Sequence, residues 1–343
     1  MRSTRHNGRV STLPARWYHD PEVYERERAG VFGREWLMIA RASQLQAPGD
    51  YVAADLSGWS LLVVAGNDGE LRAFHNVCRH RAGPLVDAGA GRCRTLVCRY
   101  HGWSYELDGR LKRARDFGDA DLPIDELGLL PVDVGIWRGL VFVNLDRSAT
   151  PLLVALGSFV AECDPFPMEK LQFSHQIAHD VDANWKTYAD NYMEGYHIPL
   201  VHPRLNKEVD AKRYRVDVGD HYCSHSAPAR DGSLTAGKWL WRFPNLAINL
   251  YPDAMTVERF LPLGPRRTRI VYDYFFRDTS PAARAENDEV VRLSIEVLDE
   301  DRAICEAVQR NLESGVYDTG RLSPRHENGV AYLQSLVREA IGA

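Results

Sequence analysis

The chain has 343 residues, a length that suits about two domains of ordinary size. Hydrophobic residues make up 45% and charged residues 26% of the composition, which excludes collagen-like, disordered and coiled-coil structures. Lys and Arg number 42 against 47 Asp and Glu, so the formal net charge is −5 and we expect neither nucleic acid nor an anionic membrane as a partner. Because the sequence has no run of about 20 apolar residues and its start lacks the apolar core of a secretory signal, we expect a cytoplasmic protein.

The first two regions of the chain differ in their patterns of apolar residues. Residues 1–36 contain an amphipathic helix, predicted from about Asp20 to Trp36, and form a helical arm that we expect to pack on the last domain. Residues 37–150 break into short apolar runs, such as Trp59-Ser-Leu-Leu-Val-Val-Ala65, separated by turn signals. This pattern predicts an all-β domain.

The third region, residues 151–343, mixes both kinds of element. Helices are predicted from about Trp185 to Tyr196 and from about Pro281 to Leu312. Strands are predicted around Leu246–Tyr251, Thr256–Leu261 and Thr268–Phe276. The fold class is therefore α+β, with an all-β domain followed by an α+β domain.

Two cysteine–histidine pairs are the most specific pattern in the all-β region. Cys78-Arg-His80 is followed after seventeen residues by Cys98-Arg-Tyr-His101. The six cysteines of the chain are too few for a disulfide scaffold, and a spaced Cys/His set is more often metal-binding. Zinc accepts two thiolates and two imidazoles, although zinc fingers place both cysteines first. The mixed order suits a Rieske [2Fe–2S] cluster, in which two Cys hold one iron and two His hold the other, and a zinc site stays as the alternative.

A second metal motif lies in the α+β region, where Glu194 is followed by His197 and His202. On the predicted helix, Glu194 and His197 are three residues apart and share a face. Pro199 is expected to end this helix, so that His202 turns back to the same metal. Two histidines and one carboxylate form the facial triad that leaves coordination positions open on non-haem iron.

Both motifs, with their flanks, resemble those of the Rieske non-haem iron oxygenases, the family of ring-hydroxylating oxygenase α subunits. The flanks that carry the resemblance are Arg81-Ala-Gly83 after the first pair and Gly102-Trp103 after the second. The resemblance implies that the two iron atoms of the cluster are bound by Cys78 with Cys98 and by His80 with His101. It also implies a helix-grip-like catalytic domain built on an antiparallel sheet.

The resemblance further assigns the mononuclear iron to His197, His202 and Asp301. In the family the third ligand is an Asp from a late helix, and Asp301 is chosen because the segment from Leu298 to Arg310 resembles the one that delivers it. Of the consecutive residues Asp299, Glu300 and Asp301, only one is expected to face the core squarely. Glu194 occupies the family's bridging position for electron transfer. Asp190, one helical turn earlier, is the alternative bridge.

The family's assembly and reaction are implied in the same way. The resemblance implies a homotrimer, in which His101 of one subunit would contact Glu194 of the next and the iron uses O₂ as co-substrate in a mono- or dioxygenase reaction. Because we find no dinucleotide or flavin motif in the sequence, we expect a separate NAD(P)H-dependent reductase, with or without a ferredoxin. A Rieske electron carrier without oxygenase activity is the alternative from another class, and the second metal motif argues against it.

The segment from Lys238 to Pro265 is similar to the corresponding part of choline, glycine betaine and carnitine monooxygenases. Its aromatic residues are able to face a quaternary ammonium group by cation–π attraction. Those predicted to line the substrate pocket are Trp239, Trp241, Phe243 and Tyr251. We therefore expect oxidation or removal of an N-methyl group, with hydroxylation of an aromatic ring as the alternative.

Overall fold

The computed structural model describes residues 11–117, 122–228 and 237–342. The chain divides into two compact units. One consists of Phe32–Ala155, and the other combines Met1–Val31 with Leu156–Ala343. The predicted fold class is confirmed, because the first unit is all-β and the second combines helices with an antiparallel sheet.

Short apolar runs form the strands of the all-β unit. The strands are β1 (Leu37–Arg41), β2 (Asp50–Leu56), β3 (Trp59–Ala65), β4 (Leu71–His75), β5 (Gly89–Arg92), β6 (Leu96–Val97), β7 (Ser104–Tyr105), β8 (Leu111–Arg113), β9 (Pro131–Trp137) and β10 (Leu140–Asn144). One sheet has the order β1-β10-β9-β4-β3-β2-β5, and a smaller sheet has the order β6-β7-β8. All five residues of β10 are buried, which explains its uninterrupted apolar sequence.

A seven-stranded antiparallel sheet forms the centre of the second unit. Its strands are β11 (Gln172–Val181), β12 (Arg215–Val218), β13 (Tyr222–Ser226), β14 (Lys238–Arg242), β15 (Leu246–Leu250), β16 (Ala254–Gly264) and β17 (Arg267–Phe276). The order is β11-β17-β16-β15-β14-β13-β12. The strands predicted near Leu246, Thr256 and Thr268 are β15, β16 and β17. Strand β11 escaped prediction because its polar residues, such as His175 and Gln176, interrupt any apolar run.

Helices complete the two units. The α-helices are α1 (Pro21–Glu27), α2 (Leu152–Leu156), α3 (Phe159–Cys163), α4 (Trp185–Tyr192), α5 (Ile198–Val201), α6 (Leu205–Glu208), α7 (Arg284–Glu313) and α8 (Asn328–Ala340). Short 3₁₀ segments are Ala15–Tyr18, Ala42–Gln44, Ile124–Glu126, Met168–Lys170 and Ala211–Arg213. Within the described ranges, no helix combines the length and the apolar character required to cross a membrane.

The helix predicted from Asp20 to Trp36 is shorter in the structure. Asp20 caps α1 by accepting a hydrogen bond from the backbone N–H of Glu22, and the α-helix ends at Glu27. A π-helical segment, Arg28–Phe32, follows. A Cβ atom on Gly30 would lie 2.4 Å from the carbonyl oxygen of Ala340, so glycine permits a close backbone contact here.

Candidate active site and metal centres

The four residues predicted to bind the cluster lie in two loops of the all-β unit. Cys78 and His80 follow β4, and Cys98 and His101 lie between β6 and β7. The backbone closes both loops in the same way. The N–H of the fourth residue after each Cys donates to the Cys carbonyl, at 3.0 and 2.9 Å, and each Cys N–H donates to the carbonyl of the fifth, at 2.8 and 2.9 Å. The two loops are therefore matching turns.

These turns bring the four side chains together. The rings of His80 and His101 have centroids 4.7 Å apart, and the thiols of Cys78 and Cys98 are buried and close enough to interact electrostatically. A Cβ atom on Gly83 would lie 2.8 Å from Sγ of Cys98. Glycine at this position thus permits the close approach of the two loops.

The surroundings of these side chains fit a bound cluster. Nδ1 of His80 is buried and has no hydrogen-bond partner among the described residues, which is costly unless a ligand engages it. The indole of Trp103 stacks on the same imidazole with centroids 4.8 Å apart. The Tyr105 hydroxyl lies 3.3 Å from Sγ of Cys78 and accepts a hydrogen bond from the Arg79 N–H at 3.0 Å.

The prediction of one continuous helix through Glu194 and His197 is wrong. Helix α4 ends at Tyr192, and the Glu194 carboxylate accepts hydrogen bonds from the backbone N–H groups of Tyr196 and His197, the latter at 3.2 Å. Pro199 lies in the first turn of α5, where proline is well accommodated because it needs no N–H partner there. The proline therefore begins a helix instead of ending one.

His197, His202 and Asp301 nevertheless converge, and one potential ligand atom from each lies within 4.8 Å of the others. The two Nε2 atoms are 3.1 Å apart. Oδ1 of Asp301 lies 3.0 Å from Nε2 of His202 and 3.6 Å from Nε2 of His197. Ligands at right angles on a metal with bonds of about 2.1 Å are separated by about 3.0 Å, so this spacing suits a facial triad.

A glutamate fixes each of the two imidazoles. Nδ1 of His197 lies 2.6 Å from Oε1 of Glu194, and Nδ1 of His202 lies 2.7 Å from Oε2 of Glu300. A carboxylate at Nδ1 makes that nitrogen the N–H donor and turns the lone pair of Nε2 toward the other ring. Two lone pairs 3.1 Å apart repel unless a cation lies between them, so this donor set fits a metal ion.

Glu300 and Asn191 were missed in the sequence. Asn191 donates to Oδ1 of Asp301 at 2.6 Å. The expectation that only one of the three acids faces the core is wrong, because Glu300 and Asp301 both reach His202. Consecutive residues on a helix differ by about 100° in direction, and His202 is placed between the two. Asp299 forms an ion pair with Arg302 instead.

Asp190, the alternative bridge, makes contacts away from the histidines. Its Oδ2 accepts hydrogen bonds from the Tyr18 hydroxyl at 2.6 Å and from Nε2 of Gln334 at 3.0 Å. Burial raises the pKa of Asp190 to about 7. Glu194, in contrast, contacts His197 directly, so the geometry favours Glu194 as the residue coupled to the triad.

A cavity of about 160 Å³ adjoins the triad. One part of its wall is aromatic and polar, and another is aliphatic. The aromatic and polar residues are Tyr188, Asn191, Tyr192, Tyr214, Trp239, Asn249, Tyr251, Thr256, Glu258 and Tyr272. The aliphatic residues are Ile198, Leu205, Val209, Val290, Leu293 and Val297, and Ser294 lies among the last three on α7. A cavity of similar size accommodates benzene in another protein, so a small organic molecule fits.

The structure divides the four aromatic residues predicted for the pocket. Trp239 and Tyr251 line the cavity, and Nε1 of Trp239 donates to the Tyr251 hydroxyl at 3.0 Å. Trp241 and Phe243 do not line it, because they pack against each other in the buried core with centroids 6.0 Å apart. Trp241 lies two residues along β14, and that step moves a side chain about 7 Å along the same face.

Sequence reasoning missed the other aromatic residues of the wall because they come from distant segments. Tyr192 lies on α4, Tyr214 precedes β12 and Tyr272 lies on β17. The rings of Tyr214 and Trp239 are stacked, with centroids 6.3 Å apart. Burial raises the pKa of Tyr251 to about 12, so its phenol is neutral at physiological pH. The wall therefore presents several neutral aromatic rings.

His225 lies beside these rings but outside the cavity lining. Its Nδ1 is 2.9 Å from the Tyr214 hydroxyl, and its partner across the strands is Trp239. Burial lowers the pKa of His225 to about 3, so the imidazole is neutral. It supports the wall without adding a positive charge.

Comparison with known proteins identifies the class to which this fold and site belong. Residues 35–123 match the Rieske [2Fe-2S] domain, and residues 168–231 and 221–343 match the catalytic domain of ring hydroxylating alpha subunits. A chain with these two domains is the α subunit of a Rieske oxygenase.

Individual relatives narrow the class. The chloroplastic choline monooxygenase of Amaranthus tricolor is 30% identical, over 96% of this chain and 78% of the relative. The carnitine monooxygenase oxygenase subunit of Escherichia coli strain K12 is 32% identical, over 96% and 93%. The crystal structure of the quaternary ammonium Rieske monooxygenase CntA with L-carnitine aligns with a TM-score of 0.86 and 29% identity, covering 97% of each chain.

The chain belongs to the Rieske non-haem iron monooxygenases. The cofactors of this family are the Rieske [2Fe–2S] cluster and a mononuclear iron, and its co-substrate is O₂. The predicted class of enzyme and the predicted cofactors are thereby confirmed.

Proposed function

We propose that this chain is the terminal oxygenase component of a system that oxidises an N-methyl group of a quaternary ammonium compound. The observation that carries the proposal is the cavity beside the triad, whose wall combines aromatic rings with a buried carboxylate. Each ring that faces an ammonium group contributes about 0.5 to 2 kcal/mol. The similarity to a choline monooxygenase and to a carnitine monooxygenase subunit supports the same class of substrate.

We assign the metal ligands as the sequence predicts. Cys78 and Cys98 would hold one iron of the cluster and His80 and His101 the other, while the mononuclear iron would be held by the triad. When bound, the two centres supply single electrons and the activation of O₂. We assign the cluster domain to residues 37–150 and the catalytic domain to residues 151–343, with residues 1–36 as an arm of the latter.

The surrounding residues position these ligands and the substrate. Glu194 and Glu300 fix the tautomer of the two imidazoles, and Asn191 orients the Asp301 carboxylate. The rings of Trp239 and Tyr251 would hold the ammonium group and exclude water from it. One of the N-methyl groups is then directed toward the triad, which lines the same cavity.

The overall reaction balances with two electrons from outside. The methyl C–H bond is replaced by C–OH while one oxygen atom of O₂ enters the product and the other is reduced to water with two electrons and two protons. The hydroxymethyl ammonium product then loses formaldehyde and a proton and leaves a tertiary amine. The electrons come from a separate NAD(P)H-dependent reductase.

We further propose a homotrimer in which the cluster of one subunit serves the mononuclear iron of the next. In this assembly His101 of one subunit would contact Glu194 of its neighbour, and Glu194 contacts His197 within its own chain. A closed ring of identical, head-to-tail interfaces has this symmetry. Sedimentation or mass photometry of the loaded enzyme would give three copies, and a monomer would contradict this part of the proposal. A cytoplasmic location stays a prediction.

A single-turnover experiment tests the reaction without knowledge of the reductase. The loaded enzyme is reduced chemically, freed of reductant, and mixed with O₂ and one compound at a time: choline, carnitine, glycine betaine or benzoate. We expect formaldehyde and a demethylated amine from a methylated ammonium compound. A hydroxylated ring from benzoate without formaldehyde would contradict the proposal, and so would an oxidised chain carbon with all N-methyl groups retained.

A further inference from the structure

Glu258 is a buried carboxyl group in the wall of the cavity. Only 3% of the residue is exposed, and it lies on β16 directly opposite Tyr272 of β17. Its hydrogen-bond donors are the side-chain amide of Asn249 and the Tyr272 hydroxyl, both of which are neutral. Among the described residues it has no basic partner.

Two other buried acids in the same unit are each paired with a cation. Oε1 of Glu27 lies 2.7 Å from Nζ of Lys186, and Oδ2 of Asp273 lies 3.2 Å from Nη2 of Arg259. Burying a charge is costly unless an opposite charge compensates it. Burial raises the pKa of Glu258 to about 7, and a positive charge that enters the cavity would compensate the carboxylate that forms above this pH.

The remaining charges of the cavity lead to the same inference. Its described lining residues include no Lys or Arg, and its other carboxylates are Glu194 and Asp301. Those two belong to the triad and its support, as shown by their contacts with His197 and His202. Glu258 is thus the lining carboxylate that the metal chemistry leaves unused.

A hydrogen-bond network aligns Glu258 with the aromatic wall. The Asn249 amide donates to Glu258 and, at 2.8 Å, to Oγ1 of Thr256, while the Tyr192 hydroxyl donates to Oδ1 of Asn249 at 2.8 Å. Asn249 also lies opposite Trp239 in the sheet. The Asn249 amide thereby links the Glu258 carboxylate and the Tyr192 ring on the same side of the cavity.

We infer that Glu258 is the counter-charge of the substrate's ammonium group, and that the preferred substrate is a net cation, a trimethylammonium compound without a carboxylate. This inference rests on the proposed function. A zwitterionic betaine would place a second carboxylate in a cavity whose described lining has no Lys or Arg to receive it. The aliphatic part of the wall, formed by residues such as Leu293 and Val297, instead suits an uncharged substituent.

Binding calorimetry with the full-length, metal-loaded enzyme at pH 8 tests the inference. The probes are choline, its neutral carbon isostere 3,3-dimethylbutan-1-ol, and glycine betaine. The test variant is Glu258→Gln, which keeps the shape of the side chain and removes its charge. A second variant, Glu258→Asp, keeps the charge. The matched control is Glu286→Gln, which removes the same charge from an exposed position on α7.

We expect wild type to bind choline at least tenfold more tightly than either other probe. In Glu258→Gln the choline dissociation constant should rise at least tenfold while that of the neutral isostere stays within twofold, and Glu258→Asp should keep the preference for choline. Tighter binding of glycine betaine by wild type would overturn the inference. An equal loss of affinity for choline and for the isostere in Glu258→Gln would also overturn the inference, because it would show that Glu258 has a purely structural role.

The same data separate this inference from the proposed function. If wild type releases formaldehyde from choline and Glu258→Gln binds choline unchanged, the role of Glu258 is wrong while the function stands. If wild type binds and oxidises none of the methylated ammonium compounds, the proposed function itself is wrong.

Discussion

Replacing Tyr105 with Phe removes a hydroxyl group that contacts Cys78, a proposed ligand of the cluster. Tyr105 is fully buried, and its hydroxyl lies 3.3 Å from Sγ of Cys78. When the sulfur is a thiolate, the hydroxyl is the donor, and a hydrogen bond to sulfur favours the reduced cluster because reduction adds negative charge. The Tyr105→Phe variant should therefore have a lower reduction potential.

The size of the change follows from the strength of one hydrogen bond. A net contribution of about 1 kcal/mol is typical. For a one-electron couple about 1.4 kcal/mol corresponds to about 59 mV, so the expected decrease is about 40 mV. A redox titration followed by the electron paramagnetic resonance signal of the reduced cluster measures this directly.

Tyr100→Phe is the matched control. More than half of Tyr100 is exposed, and its hydroxyl accepts a hydrogen bond from Nη2 of Arg81 at 3.1 Å. We expect its potential to stay within about 10 mV of wild type, because an exposed hydrogen bond to solvent-facing groups has little effect on the cluster. An unchanged or higher potential in Tyr105→Phe, or an equal decrease in both variants, would refute the reasoning.

Three further predictions concern the catalytic unit. His202→Ala should lose the mononuclear iron but keep the visible spectrum of the cluster, as iron analysis and absorption spectroscopy will show, because its ligand atom belongs to the triad. Lys186→Met leaves the Glu27 carboxylate buried without its partner at 2.7 Å, so urea denaturation should show a loss of about 3 to 5 kcal/mol in the free energy of unfolding. Asp190→Asn should gain stability relative to wild type by roughly 2 to 4 kcal/mol from pH 5 to pH 8, measured by the same denaturation.

The sign of the last prediction follows from proton binding. Burial raises the pKa of Asp190 to about 7, above the value of about 3.9 expected in the unfolded chain. The folded state therefore binds more protons between these values, and wild type loses stability as the pH rises through that window. An Asn residue does not titrate, so a difference between the two proteins that stays constant with pH would contradict this account.

Wild-type cluster content is the control for the triad variant. A His202→Ala protein that retained full mononuclear iron would show that the triad has been misassigned.

For the buried pair of Glu27 and Lys186, the control is Arg28→Met, which removes a cation whose guanidinium pairs with the exposed Glu25 at 2.7 Å. If Lys186→Met lost no more free energy of unfolding than Arg28→Met, the claim that burial makes the pair important would be contradicted.

Much of the metal chemistry could be predicted because it depends on residues that are close in sequence. Each Cys/His pair lies within one short loop, so its two side chains stay close together whatever residues pack around the loop. His197 and His202 were also found, although the helix predicted between Glu194 and His197 is absent. The short spacing keeps these residues together through a turn that Glu194 itself caps.

The substrate cavity could not be predicted in the same way because strand register determines its wall. Trp239 and Trp241 share a face of β14, yet only Trp239 lines the cavity, since the cavity ends before the next residue on that face. Glu258 is adjacent to Asn249 and Tyr272 only across strands. A local pattern contains no information about such neighbours.

Glu300 illustrates a second limit. Its sequence position suggested a neighbour of Asp301 that faces elsewhere, but the histidine at position 202 lies within reach of both carboxylates. From adjacent positions, helix α7 places Asp301 beside both histidines and Glu300 against Nδ1 of His202. The motif was enough to select Asp301 as a candidate ligand, whereas the contact of Glu300 with His202 required the packed structure.

The most direct test of the central claim uses a trimethylammonium compound whose N-methyl carbons are labelled with ¹³C. The loaded enzyme, supplied with a Rieske reductase and NADH, should convert labelled choline to ¹³C-formaldehyde, close to one molecule for each O₂ consumed. Retention of the label in all three methyl groups while O₂ is consumed, or the absence of any substrate-dependent O₂ consumption, would contradict the claim that this enzyme oxidises an N-methyl group.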